Sequence, residues 1–172
     1  MEETTHPVIT ENKRTRVTDY PFLLRQAESL LSGTTHLVSA LANLSALIWD
    51  ALDEINWAGF YLSDGVQLYL GPFQGKTACI LIPFGKGVCG TAVAENSTRV
   101  VPDVHSFPGH IACDSASNSE IVIPFHLGGK VAGVLDIDSP LFDRFSDADR
   151  KGLEALVKVL ETCFPFSPVQ DM

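Results

Sequence analysis

The chain has 172 residues, 45% of them hydrophobic and 19% charged, an ordinary globular composition that fits one domain with a substantial core. With 12 basic against 21 acidic residues the formal charge is -9, which argues against nucleic acid or an anionic membrane as partner and favours a small substrate or a protein. The polar start MEETTHPVITENKRTR has no apolar signal region, and no segment approaches the length needed to span a bilayer, so a soluble, cytoplasmic protein is expected.

Residues 1–18 lack apolar periodicity and are expected to form a mobile arm, with the domain itself over 19–163 and a short tail at 164–172. Asp19, followed by Pro21, can cap a first helix carrying Phe22, Leu23, Leu30 and Leu31 and ending near Gly33. Thr34 or Thr35 can cap a second, whose wide stripe (Leu37, Val38, Leu41, Leu44, Ala46, Leu47, Ile48, Leu52) should lie against a sheet. INWAGFYLS and VQLYLG around Asp64-Gly65 read as a hairpin with a two-residue turn, and ACILIP as a third strand. GKGVCGTAVAEN reads as a short helix entered through a glycine-rich loop, and RVVP as a brief strand. DVHSFPGHIACDSASNS is too long and polar for a plain connection, and loops of that kind are usually functional or mobile. EIVIPFHL and KVAGVLDID meet at Gly128-Gly129, and a last helix begins near Ser146, with Asp149 three residues on. The sum is an α+β domain, an antiparallel sheet flanked by helices.

Period-2 alternation puts Trp57, Gly59 and Tyr61 on one face of the first strand, two aromatics flanking a gap. They suit either ordinary core packing or the wall of a small apolar pocket. In the last hairpin the apolar sets of both strands must share a face, which requires an odd loop; Leu127-Gly128-Gly129 is the simplest. That register sets Glu120 opposite Asp136, with Asp138 further along the same face. Left open to water, three such acids need no explanation. If they are covered, close like charges raise the pKa of at least one and let it hold a proton near neutral pH.

Three of the four cysteines, Cys79, Cys89 and Cys113, fall within 35 residues among Gly, Pro and small polar residues, whereas Cys163 ends the last helix beside Phe164 and reads as packing. Cys113, in the long polar loop, is the best nucleophile candidate. A zinc site from the three cysteines with His105 or His110 lacks the close pair that structural zinc favours, and a hydrolytic Cys113/His110 pair rests on sequence proximity alone.

The segments NWAGFYL, LGPFQGK, IPFGKGVCGTAVAEN, PDVHSFPGHIACDSASNSEIVIP and GVLDIDSP together resemble the free methionine (R)-sulfoxide reductases, single-domain enzymes on the GAF fold, over about Asp19 to Cys163. The resemblance implies an oxidoreductase that reduces free methionine sulfoxide of the R configuration, not oxidised Met within proteins. It implies Cys113 as the attacking thiol, Cys79 as the usual resolving cysteine in a Cys79–Cys113 disulfide, and Cys89 as the other candidate. Trp57, Tyr61, Glu120, Asp136 and Asp138 match family pocket residues. It further implies a homodimer served by a thioredoxin-like reductant. The chemistry needs no metal and no organic cofactor: an acid of the Glu120/Asp136/Asp138 set protonates the sulfoxide oxygen while a thiolate attacks sulfur. The rival expectation is a GAF-type small-molecule or redox sensor without catalysis, although the chain carries no obvious output domain.

Overall fold

A computed structural model describes residues 17–111 and 114–165; the bulk of the expected arm and tail, together with Ala112 and Cys113, lie outside the described residues. Helix α1 (Tyr20–Leu31) starts where Asp19 accepts the backbone N–H of Phe22, with proline in the first turn. Helix α2 (Leu37–Ala51) begins later than expected: its N-cap is His36, which makes no side-chain capping bond. Thr34 is instead spent on closing α1, its N–H donating to Leu31 O at 3.2 Å. Ser146 and Asp149 form a full capping box at the start of α4 (Asp147–Cys163). None of the described helices is long and apolar enough to cross a membrane.

Six strands, β1 (Trp57–Ser63), β2 (Gln67–Gly75), β3 (Leu81–Pro83), β4 (Arg99–Val101), β5 (Ser119–Leu127) and β6 (Lys130–Ser139), form one antiparallel sheet in the order β3-β2-β1-β6-β5-β4. The remaining helix, α3 (Gly87–Glu95), follows β3. Two strand expectations need correction. Asp64 flanks the first turn rather than occupying it, because its Oδ1 accepts the backbone N–H of Val66 and of Gln67, both at 2.8 Å, so the turn centres on Gly65-Val66. ACILIP supplies a strand only from Leu81, and residues 76–80 are irregular.

The last hairpin also differs in register. Leu127 pairs with Lys130 across a two-residue turn whose glycines both have positive φ, 59° and 76°. A bulge then follows, Phe125 pairing with Gly133 and His126 with Val131. The bulge restores the facing that the short turn alone would have broken, so the apolar sets still share a face. Glu120 consequently pairs with Asp138, not Asp136, and Asp136 pairs with Val122.

Helices α1, α2 and α4 cover one sheet face, where Leu41, Leu44, Ile48, Leu153 and Leu156 pack with Phe60, Phe125, Leu135 and Ile137. On the opposite face a second, smaller apolar cluster surrounds Trp57 and Tyr61, closed by Val88, Cys89 and Ala92 of α3 and by Val104 of the loop after β4. That face carries all the unusual chemistry.

Candidate active site

Strand pairing assembles the site. On β1, Trp57 lies opposite Asp138 and Gly59 opposite Asp136, while the space beside Gly59 is taken by the backbone and Cβ of Phe73 on β2. Glu120 arrives from β5 beside Asp138. The three acids, Trp57, Tyr61 and Cys89 line one cavity, completed by Thr77 and Ala78 of the irregular stretch after β2 and by His110, Ile111, Asp114 and Ser117 of the long loop. The expected aromatic wall and the expected acids are thus brought together.

The acids are covered: Glu120 and Asp136 are each only 6% exposed. Burial pushes the Glu120 carboxyl well above the usual carboxylate range, with Asp136 and Asp138 adding like-charge repulsion. Asp136 rises from 3.8 to about 6, chiefly by burial, and hydrogen bonds from Cys89 and Glu120 restrain it. Asp138 is driven up by burial and then by the charges of Asp136 and Asp114. At neutral pH at least one carboxyl of the set therefore holds a proton.

Cys89 sits among them, its thiol donating to Asp136 Oδ2 at 3.2 Å and lying 3.9 Å from Glu120 Oε1. Burial, then the charges of Asp136 and Glu120, raises its pKa well above the thiol range, so Cys89 stays protonated here. Asp136 Oδ1 is buried without a hydrogen-bond partner among the described residues. His110 Nε2 is 3.9 Å from Glu120 Oε2, yet burial lowers the His110 pKa, so a neutral imidazole offers the acids no counter-charge. The ligand atoms of Cys89, Glu120 and Asp136 lie within 4.8 Å of one another, close enough to share one cation. Among the described residues this group holds Cys89 but not Cys79, His105 or His110, and Cys113 lies outside the described residues.

The aromatic wall also has polar work. Trp57 stacks on Tyr61 at 5.9 Å and on Phe73 at 5.2 Å, while its Nε1 donates to Lys76 O at 3.1 Å. The Tyr61 hydroxyl donates to Cys79 O, also at 3.1 Å. Cys79 is a half-buried free thiol, and Cys163 packs beneath the helices on the other face. Cys113 lies outside the described residues; Ile111 and Asp114, on either side of the undescribed pair, both line the cavity.

Sequence reading missed the anchoring of Asp114, which accepts from Asn56 Nδ2 at 3.2 Å and from the backbone N–H of Ala116 at 2.9 Å, and pairs with Lys76 at 3.4 Å. These bonds, led by that of Ala116, hold its carboxyl below the ordinary range. Neither Asn56 nor Lys76 stands out by periodicity or motif chemistry, so only the fold relates them to the site.

Comparison with known proteins agrees with this geometry. The GAF domain family matches residues 26–164. The free methionine-R-sulfoxide reductase of Escherichia coli is 56% identical over 142 residues, covering 83% of this chain and 86% of that protein. The structure of fRMsr of Staphylococcus aureus in its reduced form superimposes with a TM-score of 0.85 at 54% identity, over 88% of this chain and 98% of that one. Free methionine-R-sulfoxide reductase from Neisseria meningitidis, solved in complex with its substrate, gives a TM-score of 0.82 at 44% identity, over 88% of this chain and 93% of that one.

Proposed function

Because this chain belongs to the free methionine-R-sulfoxide reductases of the GAF family, we propose that it reduces free L-methionine (R)-S-oxide to methionine by a thiol mechanism. The observation that carries the reading is the set of buried Glu120 and Asp136 with half-buried Asp138 beside Trp57 and Tyr61, an acid store facing an apolar wall. The free amino acid offers an ammonium group to match Asp136 Oδ1, a buried acceptor with no protein partner among the described residues. Its S-methyl group suits the indole of Trp57. A peptide-linked methionine sulfoxide lacks that ammonium group and would carry backbone on both sides into a closed cavity, which accounts for selectivity toward the free amino acid.

In the first step the Cys113 thiolate attacks the substrate sulfur while a protonated carboxyl of the set, Glu120 being the most strongly perturbed by burial and by both neighbours, gives its proton to the sulfoxide oxygen. The oxygen passes to the cysteine, so methionine leaves reduced by two electrons and Cys113 becomes a sulfenic acid, oxidised by two. Cys79 then attacks the sulfenic sulfur, water departs, and a Cys79–Cys113 disulfide forms. A dithiol protein of the thioredoxin type restores both thiols by exchange and is itself left as a disulfide. The protein works as a cytoplasmic homodimer. Phe22, Leu30, Val38 and Trp49 leave apolar surface exposed on α1 and α2, where a second copy can pack.

The direct test is incubation of the purified protein with racemic free methionine sulfoxide and excess dithiothreitol. Consumption should stop near half of the racemate, the S form remaining. Complete inertness would reject the reading in favour of a sensor.

A further inference from the structure

The stretch between β2 and β3 is an irregular part of the cavity wall. Residues 76–80 make no ladder, and Gly75, which opens the stretch, has φ +127° in a place where a Cβ would collide with Asn56 O and Trp57. Two carbonyls of this stretch are held by side chains of the neighbouring strand: Lys76 O by the Trp57 indole N–H and Cys79 O by the Tyr61 hydroxyl. Both donors are almost completely buried, at 3% and 1% exposure, and their rings stack on each other. The two bonds bracket the stretch, one at each end, and Cys79 is its last residue but one. One further backbone bond, from Leu70 N–H to Ile80 O at 3.0 Å, marks where the ladder resumes.

The geometry points to a second role for the aromatic pair: by fixing the backbone of Lys76–Cys79, Tyr61 and Trp57 act as positioning residues that set how quickly Cys79 closes the disulfide. The inference rests on the reading above, in which Cys79 resolves the sulfenic acid. It separates two functions within one wall, since the rings border the cavity while their polar tips hold the backbone that carries the thiol that acts second. An exchange step of this kind depends on approach geometry, because the attacking sulfur must reach the far side of a defined bond. A backbone free to wander would lengthen the life of the sulfenic acid and expose it to over-oxidation.

Tyr61→Phe tests this by deleting one hydroxyl while keeping the ring. Hydrogen exchange, which requires no activity, should show the amide of Leu70, which donates to Ile80 O at the end of the stretch, opening about three- to tenfold faster, the range expected for one net hydrogen bond. With one equivalent of substrate and no reductant, dimedone should trap more sulfenic acid than in the parent protein. Disulfide formation should slow more than methionine release does. Trp57→Phe should reproduce the faster exchange at the same amide, and Cys79→Ser, which cannot close the disulfide, sets the maximum trapped fraction. Unchanged exchange in Tyr61→Phe overturns the clamp. Faster exchange with an unchanged ratio of sulfenic acid to disulfide overturns its link to the resolving step. If the unmodified protein releases no methionine at all, the functional reading fails while the exchange result still decides the clamp.

Discussion

Asp136→Asn isolates the energetic cost of the acid set. In the folded protein the Asp136 pKa is raised from 3.8 to about 6, mainly by burial. An acid raised in this way contributes stability that is fully present below the unfolded pKa and is lost as pH rises through the folded one. In the window between about 4 and 6 the folded state binds the proton that the unfolded state has released, so stability falls with rising pH. A shift of this size corresponds to about 3 kcal/mol above the window. Asparagine cannot ionise and escapes that loss. Relative to the parent protein, the variant should therefore gain about 3 kcal/mol between pH 3.5 and pH 7.5, or about 6–12 °C in melting midpoint for a chain of this length. Differential scanning fluorimetry of both proteins across that range, with urea titrations at the two ends, measures the gain directly. The same substitution removes the carboxylate charge and turns one of its two oxygens, the acceptor of the Cys89 thiol or the unpaired Oδ1, into an NH2 donor, so turnover of free methionine sulfoxide should collapse as stability rises. A melting difference that stays constant with pH would show that Asp136 ionises in the fold as freely as in water, and the account of the acid set would be wrong.

Cys113→Ser should abolish methionine production, and a normal steady-state rate in that variant would remove Cys113 from the role of nucleophile. Cys79→Ser should still release about one methionine per site before stalling, since attack precedes resolution; rapid-quench analysis of product per site decides this. Glu120→Gln should lower turnover by at least about a hundredfold, the usual scale of general acid catalysis, while circular dichroism shows an intact fold; unchanged kinetics would reject the acid. Gly152→Ala should destabilise by about 1–3 kcal/mol, because a Cβ at that point of α4 runs into the ring of Tyr20 on α1, and a urea titration with no change in midpoint would contradict the tight approach of those helices.

How much of this the sequence carries depends on whether a feature is local or spatial. The caps of α1 and α4 are legible because one side chain bonds its own helix within three residues. The facing of Trp57 with Tyr61, and of the three acids, is legible because alternation is a property of one strand. The hairpin register is not: turn length and bulge compensate each other, so the apolar pattern constrains the face but not the partner, and Glu120 could be placed on the correct face yet opposite the wrong aspartate. ACILIP has strand composition throughout, yet β3 starts only at Leu81, because Ala78 lines the cavity and the carbonyl of Cys79 is held by the Tyr61 hydroxyl of another strand. Asn56 and Lys76 converge on Asp114 across 58 and 38 residues, a relation that no local pattern encodes.

Burial of the acids also sets Cys89 apart, which spacing in the sequence could not do. A thiol becomes a nucleophile only as its thiolate, and a thiolate is favoured by nearby positive charge and disfavoured by nearby carboxylates. Cys89, donating to Asp136 and sealed from water, is held in the protonated form by the same groups that retain a proton for the substrate oxygen. A second thiolate in that position would repel the carboxylates and compete for their proton, so the acid store works best beside a thiol that stays neutral. Cys79 is half-buried on an irregular stretch whose backbone is held at Lys76 and at Cys79 itself. The buried negative charge accounts for a neutral Cys89 hydrogen-bonded to the acids, which supports the proposed division in which Cys113 attacks and Cys79 resolves.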